Sequence, residues 1–313
     1  MKIKLTENQT HKPVLADEVL RGLGLDSIAP LKKPGKYIDA TLGHAGYVLE
    51  IVKKKAEVLG IDIDKEALKV AKQRLKQACP PTFGLNERGS FKLVLGNFKD
   101  IDTIAVENNF TEVDGIIFDL GVSSRQLMDP SRGFSFSNPN ASLDMRMNKE
   151  IQNLKASDLL NLLRKDQLED LFCVVMHKGE ARRLSSLIIQ RRVKTPFNKV
   201  EDLLEVVGKN LNFTGSLHPA TKAFLALRMA VNSELENISI SLPKAFELLK
   251  PGGRLLVISF HSAEDTIVKN YFRKLSSEGA GKLINNKPIV PTLNEISQNP
   301  RSRSAKLRII ARE

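Results

Sequence analysis

Cysteine is nearly absent from this chain. Cys79 and Cys173 are the only two, far apart and in no ligand-spaced motif. That excludes a disulfide framework and a cysteine-based zinc centre, and leaves reduced thiols of a cytoplasmic protein as the expectation. The five histidines, His11, His44, His177, His218 and His261, form no HxH or HExxH pair, so no metal is expected. The N-terminal MKIKLTENQT lacks the apolar stretch of a secretory signal. No apolar run approaches ~18 residues, so no membrane span is expected.

What is present is ordinary globular composition with a basic excess. The chain has 313 residues, 42% hydrophobic and 27% charged, which excludes a disordered chain, a collagen-like repeat and a coiled-coil rod. Its length predicts about two domains and allows one large one. Lys plus Arg number 48 against 36 Asp plus Glu, a formal charge of +12. A surplus of that size suits a polyanionic partner such as nucleic acid, or an acidic membrane surface, or else a simply solvated basic surface.

The first third alternates between strand-like and helix-like segments. Residues 36–42 form a short β-prone run ending at Gly43, and 46–54 read as a helix. AEVLGIDI (56–63) is a second strand. Asp64 then caps a segment in which Ala67, Val70, Ala71 and Leu75 recur at helical spacing, broken by Pro80-Pro81. FKLVL (91–95) and VDGIIFDL (113–120) are a third and a fourth strand. Strands separated by helices predict βαβ units and a parallel sheet. From about Ser131 to Gly215 no buried strand is evident, and 154–172, 181–190 and 200–207 look helical. The rhythm returns with Leu235, Ile238, Leu242, Ala245 and Leu249 on one helix face, a stop at Pro251-Gly252-Gly253 and a buried strand, LLVISF (255–260). That last strand needs a sheet to join, and only the N-terminal half supplies one. The predicted architecture is one α/β domain, 1–130 plus 216–313, interrupted by a helical domain, 131–215. Residues 276–300 read as a long loop and 307–311 as an edge strand.

The turn after the first strand, DATLGHAG (39–46), carries Gly43 and Gly46, which let the backbone turn tightly and approach a ligand. Asp62 closes the second strand 19 residues after Gly43, about the spacing at which an acid accepts hydrogen bonds from ribose hydroxyls. Loop and acid together point to a nucleoside-containing cofactor. The dinucleotide fingerprint, GxGxxG, surrounds a pyrophosphate; here the spacing is GxxG, and an acid, Asp39, stands at the strand end. A carboxylate there repels a pyrophosphate and suits a ligand with an amino group and a sulfonium. That favours S-adenosylmethionine over a nicotinamide dinucleotide, with Asp39 as a plain turn cap the bland alternative. Phe98, just past the third strand, either covers an adenine or is a core aromatic. Asp119 ends the fourth strand amid Ile116, Ile117, Phe118 and Leu120. An acid is costly to bury there unless it faces a polar cleft. Ligands of open α/β sheets bind at the carboxyl ends of the strands, so Asp119 is expected to face the site.

Longer runs carry a resemblance. HKPVLADEVL (11–20), DATLGHAGY (39–47), DLGVSSRQL (119–127), RGFSF (132–136), LDMRM (143–147), GEARR (179–183), HPATKAFLALRMAVNSEL (218–235), PGGRLLVISFHSAED (251–265) and NPRSRSAKLRI (299–309) cover nearly the whole chain in order. The sequence resembles the bacterial ribosomal RNA small subunit methyltransferase H family, also called MraW. The resemblance implies a class I, Rossmann-like methyltransferase sheet with an inserted helical domain for RNA recognition. It implies methyl transfer from S-adenosylmethionine to the exocyclic N4 of a cytidine in the decoding region of 16S rRNA, within the small subunit, and leaves homodimerisation open. Its cofactor loop falls on Ala45, Gly46 and Tyr47, its ribose acid on Asp62, its aromatic on Phe98, its fourth-strand acid on Asp119 and its glutamine on Gln126. Three positions depart from the family pattern. Ala45 stands for a glycine and is therefore expected to avoid a positive φ. Tyr47 stands for a histidine. Arg125 stands for a proline, so that turn is expected to be less rigid.

Past the fifth strand lie His261-Ser262 and Glu264-Asp265, on the same rim of the sheet. The simplest reading is a helix N-terminus with Ser262 as cap and the acids in its first turn; His261 stays open as an acceptor contact. Arg146 and His218 are acceptor-site candidates or structural hydrogen-bonders. Residues 177–194 carry six Lys/Arg against one acid, and 299–313 carry five against one. Both suit phosphate contacts, with Arg182, Arg183, Arg191 and Arg192 the leading candidates. The competing functions are a nicotinamide-dependent oxidoreductase, a non-catalytic RNA-binding factor, and a methyltransferase for another acceptor.

Overall fold

Continuous apolar runs, rather than alternating ones, build the sheet of this protein, as parallel strands covered on both faces require. The structure, a computed structural model, describes residues 13–26, 34–78, 89–210 and 218–313. His11, Cys79 and Pro80-Pro81 lie outside the described residues. The chain forms two compact units, Met1–Leu120 with Ile238–Glu313, and Gly121–Asn237.

The first unit contains α1 (Ala16–Gly22), β1 (Lys36–Asp39), α2 (Gly46–Val52), β2 (Glu57–Asp62), α3 (Lys65–Ala78), β3 (Phe91–Leu95), α4 (Ile101–Glu107) and β4 (Val113–Asp119). The second contains α5 (Ser124–Met128), α6 (Ala156–Leu162), α7 (Lys165–Cys173), α8 (Lys178–Lys194), α9 (Val200–Asn210) and α10 (Ala220–Val231). Helix α11 (Glu234–Glu247) then leads back into the first unit, followed by β5 (Leu249–Ser259), α12 (Ser262–Ser277), β6 (Gly281–Leu283), α13 (Leu293–Gln298) and β7 (Lys306–Arg312).

The strands form one sheet in the order β3-β2-β1-β4-β5-β7-β6. Strands β1 to β5 run parallel, and β7 is antiparallel to both its neighbours. Ile116, Ile117, Leu255 and Leu256 at its centre are fully buried. The strand order reverses between β1 and β4. In an open sheet of this kind that reversal opens a crevice at the carboxyl ends of the two strands. Asp39 and Asp119 are the last residues of those strands.

Four details differ from the expectations. Strand β7 is interior and β6 is the edge; at three residues β6 is too short to show a period, so 276–300 reads as loop although it also holds α13. The helical stretch 154–172 is two helices, broken where Leu163 and Arg164 are extended and the Gln167 side chain accepts from the Arg164 amide at 3.0 Å. Strand β5 starts at Leu249, before the Pro251-Gly252-Gly253 turn, and a register shift against β4 absorbs that turn. The helical unit runs from Gly121 and keeps α10, whose Ala223, Phe224 and Leu227 belong to the same apolar cluster as Leu168, Phe172, Leu184 and Leu203.

Candidate functional site

The site grows from the loop between β1 and α2. Asp39 is completely buried. One carboxyl oxygen accepts from the Thr41 amide at 3.2 Å; the other, Oδ2, has no hydrogen-bond partner. Burial pushes this carboxyl up from the usual 3.8 to about 8, against the Thr41 amide, and the Asp119 and Asp62 carboxylates add to the rise. Thr41, which sequence reasoning missed, joins the two strand ends: its Oγ1 accepts from the Asp119 amide at 2.6 Å.

Asp62 at the end of β2 shapes the loop. Its Oδ2 accepts from the Gly43 amide at 2.8 Å and its Oδ1 from the Asp64 amide at 2.8 Å. Each carboxylate oxygen has more than one acceptor direction, so Asp62 can hold the loop and still receive a ligand hydroxyl. Gly43 sits at φ 49, where glycine is unstrained. Ala45 sits at φ 59, the left-handed region it was expected to avoid. The residue is fully buried and is the residue before α2. The surrounding packing imposes a conformation that costs an L-residue about 1 kcal/mol. Gly46 starts α2 against the Pro13 ring; a Cβ there would lie 3.1 Å from Pro13 Cγ.

Tyr47 is buried in the core, and its hydroxyl donates to the Val14 carbonyl at 2.6 Å. The same oxygen lies 3.4 Å from Asp119 Oδ2, while Asp119 Oδ1 has no partner. Burial raises the Asp119 carboxyl to about 7; the Tyr47 hydroxyl opposes the rise and the Glu264 charge adds to it. Phe98, half-buried, meets Phe118 edge to face, with ring centroids 5.5 Å apart. The structure thus brings Asp39, Asp62 and Asp119 to one rim of the sheet, with Ala45 closing the adjoining loop and Gly46 and Tyr47 opening α2. Gln126 belongs to the other unit, buried in α5, where its Oε1 accepts from the Ser123 amide at 2.8 Å in a capping box. Arg125 is the second residue of that helix.

At the end of β5 the cap is His261, not Ser262. His261 Nδ1 accepts from the Glu264 amide at 3.4 Å and Nε2 stands 3.1 Å from Glu264 Oε1. Both ring nitrogens therefore face Glu264, although neither Nε2 nor Glu264 Oε1 makes a hydrogen bond. That fully buried side chain also accepts from the Phe260 and His261 amides. Asp265 pairs with Arg308 at 2.6 Å and with Lys306 at 3.4 Å, which is a structural role. In the helical unit Arg146 pairs with Asp144 at 2.8 Å and donates to the Gln152 carbonyl. His218 stacks on Phe136 at 4.4 Å. Two arginines of α8 turn inward. Arg191 pairs with Asp202 at 2.6 Å and lies over the Phe197 ring, and Arg192 donates to the Leu160 and Leu163 carbonyls. Arg182 and Arg183 are exposed.

The sequence matches the MraW methylase family over residues 8–313. The chain belongs to that family. A protein of Coprothermobacter proteolyticus named ribosomal RNA small subunit methyltransferase H is 36% identical over 307 residues, 97% of each chain. One of Fusobacterium nucleatum with the same name is 39% identical over 323 residues, 97% of this chain and 98% of that one. A crystal structure of an rRNA methylase from Streptococcus thermophilus superposes with a TM-score of 0.42 at 12% identity, covering 94% of each chain. The sheet order, with β7 reversed, is the class I methyltransferase arrangement that the MraW resemblance implied.

The donor set suits a cationic ligand. Asp39 Oδ2 and Asp119 Oδ1 are buried oxygens without partners, and neither carboxyl pairs with Lys or Arg among the described residues. A positive charge at this rim would favour the ionised form of both and relieve their mutual repulsion. A pyrophosphate would increase it.

Proposed function

We propose that this protein transfers the methyl group of S-adenosylmethionine to the exocyclic N4 of a cytidine in the decoding region of 16S rRNA. The observation that carries the reading is the pair of unpartnered carboxyl oxygens, Asp39 Oδ2 and Asp119 Oδ1, at the point where the strand order reverses in a chain of the MraW family. The names of the relatives supply the acceptor class, ribosomal RNA of the small subunit. Asp39 and Asp119 receive the cationic amino-acid end of the donor, Asp62 its ribose hydroxyls and Phe98 its adenine. The backbone of Ala45 and Gly46 lines the loop, and Gln126 is a further cofactor contact that the family resemblance implies. When bound, S-adenosylmethionine supplies an electrophilic methyl group on a positively charged sulfur.

The cytosine amino group is a poor nucleophile, because its lone pair is delocalised into the ring. The protein's larger contribution is alignment of nitrogen and methyl carbon, a term that reaches ~7–11 kcal/mol in well-oriented systems. Fixed acceptors near the N4 protons add an electrostatic share. His261 is given no role as a base in this scheme, since its Nδ1 accepts from the Glu264 amide as the helix cap. The N4 proton leaves after the methyl bond has formed, when the nitrogen is far more acidic. The helical unit holds RNA in the cytoplasm through the solvent-facing cations of α8, Lys178, Arg182, Arg183 and Lys194. The target base must be unstacked to reach the crevice.

Mass spectrometry of small-subunit rRNA from cells with and without the intact gene tests this. Loss of N4-methylcytidine with the gene supports the reading; an unchanged N4-methylcytidine level contradicts it.

A further inference from the structure

The segment that opens the described chain, PVLADEVL (13–20), has no part in the chemistry above, yet it is fastened to the donor loop. The Pro13 ring packs on Gly46. The Val14 carbonyl accepts from the Tyr47 hydroxyl at 2.6 Å, and the Leu15 amide donates to Glu295 Oε1 on α13 at 2.8 Å. Leu15 at φ 51 and Ala45 at φ 59 are both held left-handed. Such strain persists only where the surroundings over-determine it, and it gathers at functional sites.

Tyr47 is 5% exposed, and its hydroxyl is engaged on both sides, so it acts through a neighbour rather than on a ligand. We infer that Tyr47 is a positioning residue for the donor site: its hydroxyl ties the Pro13–Leu15 strap to the Asp119 carboxyl and turns that carboxyl so that Oδ1 is the oxygen presented to the donor. The inference rests on the reading that Asp119 faces S-adenosylmethionine. The phenol has one proton and two acceptors. An ionised Asp119 shares that proton with the Val14 carbonyl, at separations of 3.4 and 2.6 Å, in a charge-assisted contact. A protonated Asp119 donates to the phenol oxygen instead, and the phenol then donates to Val14. In both states the same oxygen holds Asp119 Oδ2. Among the described residues, the charged groups that act on this contact are acids: Asp39 on β1 and Glu264 on α12 act on or with Asp119, Asp62 on β2 acts on Asp39, and Glu295 acts on Tyr47.

Calorimetric titration of the full chain with S-adenosylmethionine between pH 6 and 9, on wild type, Tyr47→Phe, Glu295→Ala and Asp119→Asn, tests the inference. Tyr47→Phe keeps the ring. It is expected to melt cooperatively, to bind the donor several-fold more weakly at pH 7, and to move the midpoint of the pH dependence upward by about half to one unit, because ionised Asp119 loses a donor. Glu295→Ala frees the strap's other anchor and is expected to weaken binding without moving the midpoint. Asp119→Asn is expected to lose the high-pH affinity. If Tyr47→Phe keeps the wild-type midpoint while Asp119→Asn is impaired, the positioning role is overturned and the reading of Asp119 stands. A midpoint moved as far by Glu295→Ala as by Tyr47→Phe also overturns it, since the strap alone then accounts for the shift. If Asp119→Asn binds like wild type, the underlying reading fails and takes the inference with it.

Discussion

Replacing Asp39 with Asn makes the donor-free protein more stable, and increasingly so as pH rises. Asp39 is fully buried, with a carboxyl raised from 3.8 to about 8. Between those values the folded chain keeps a proton that the unfolded chain has released. Stability therefore falls as pH rises, by about 1.4 kcal/mol per unit, and levels off above the folded-state value. Asn carries no such proton and keeps the oxygen that accepts from the Thr41 amide. The stability gap between variant and wild type should widen by about 3–4 kcal/mol from pH 5 to pH 8, which is several degrees in melting temperature. Thermal melts of both proteins at each pH without donor provide the assay. The same variant should bind S-adenosylmethionine at least tenfold more weakly at pH 8, since a buried site kept charged for a ligand is held at the expense of stability. Parallel stability curves from pH 5 to pH 8 would refute the reasoning, because Asp39 would then be ionised in the fold.

Asp62→Ala removes the acceptor of the Gly43 and Asp64 amides, and should lower donor affinity by more than tenfold in calorimetry; unchanged affinity would take Asp62 out of the site. Ala45→Gly should change stability by less than about 1 kcal/mol in urea titrations, as relief at φ 59 offsets the added freedom of the unfolded chain, whereas Ala45→Val should destabilise by more than that. Arg182→Ala with Arg183→Ala should reduce the salt slope of RNA binding by about 1–2 and leave the melting temperature alone. Arg191→Ala with Arg192→Ala should instead lower the melting temperature, because those side chains hold Asp202 and the Leu160 and Leu163 carbonyls.

Much of this was legible because burial on both faces leaves a plain mark. The runs KYID, EVLGID and VDGIIFD each end in an acid, and an acid closing an apolar strand signals the rim of a parallel sheet. What eluded the sequence depends on direction and curvature. The charge count over α8 cannot tell that Arg191 and Arg192 point inward. The left-handed Ala45 follows from packing around the loop, not from its residue type. His261 takes the cap from Ser262 because Glu264 is buried and needs donors from that turn. Thr41 carries no motif, yet it couples β1 to β4. Strand β6 and helix α13 are too short to show a period.

The central claim is that the acids at the ends of β1, β2 and β4, Asp39, Asp62 and Asp119, receive a positively charged donor. Calorimetry of S-adenosylmethionine binding at pH 7, in buffers of different ionisation enthalpy, tests it most directly. Carboxyls at about 7 and about 8 that ionise on binding should release about one proton per donor, with affinity rising up to about pH 8. Binding with no proton release and no pH dependence, or no binding at all, would contradict the account.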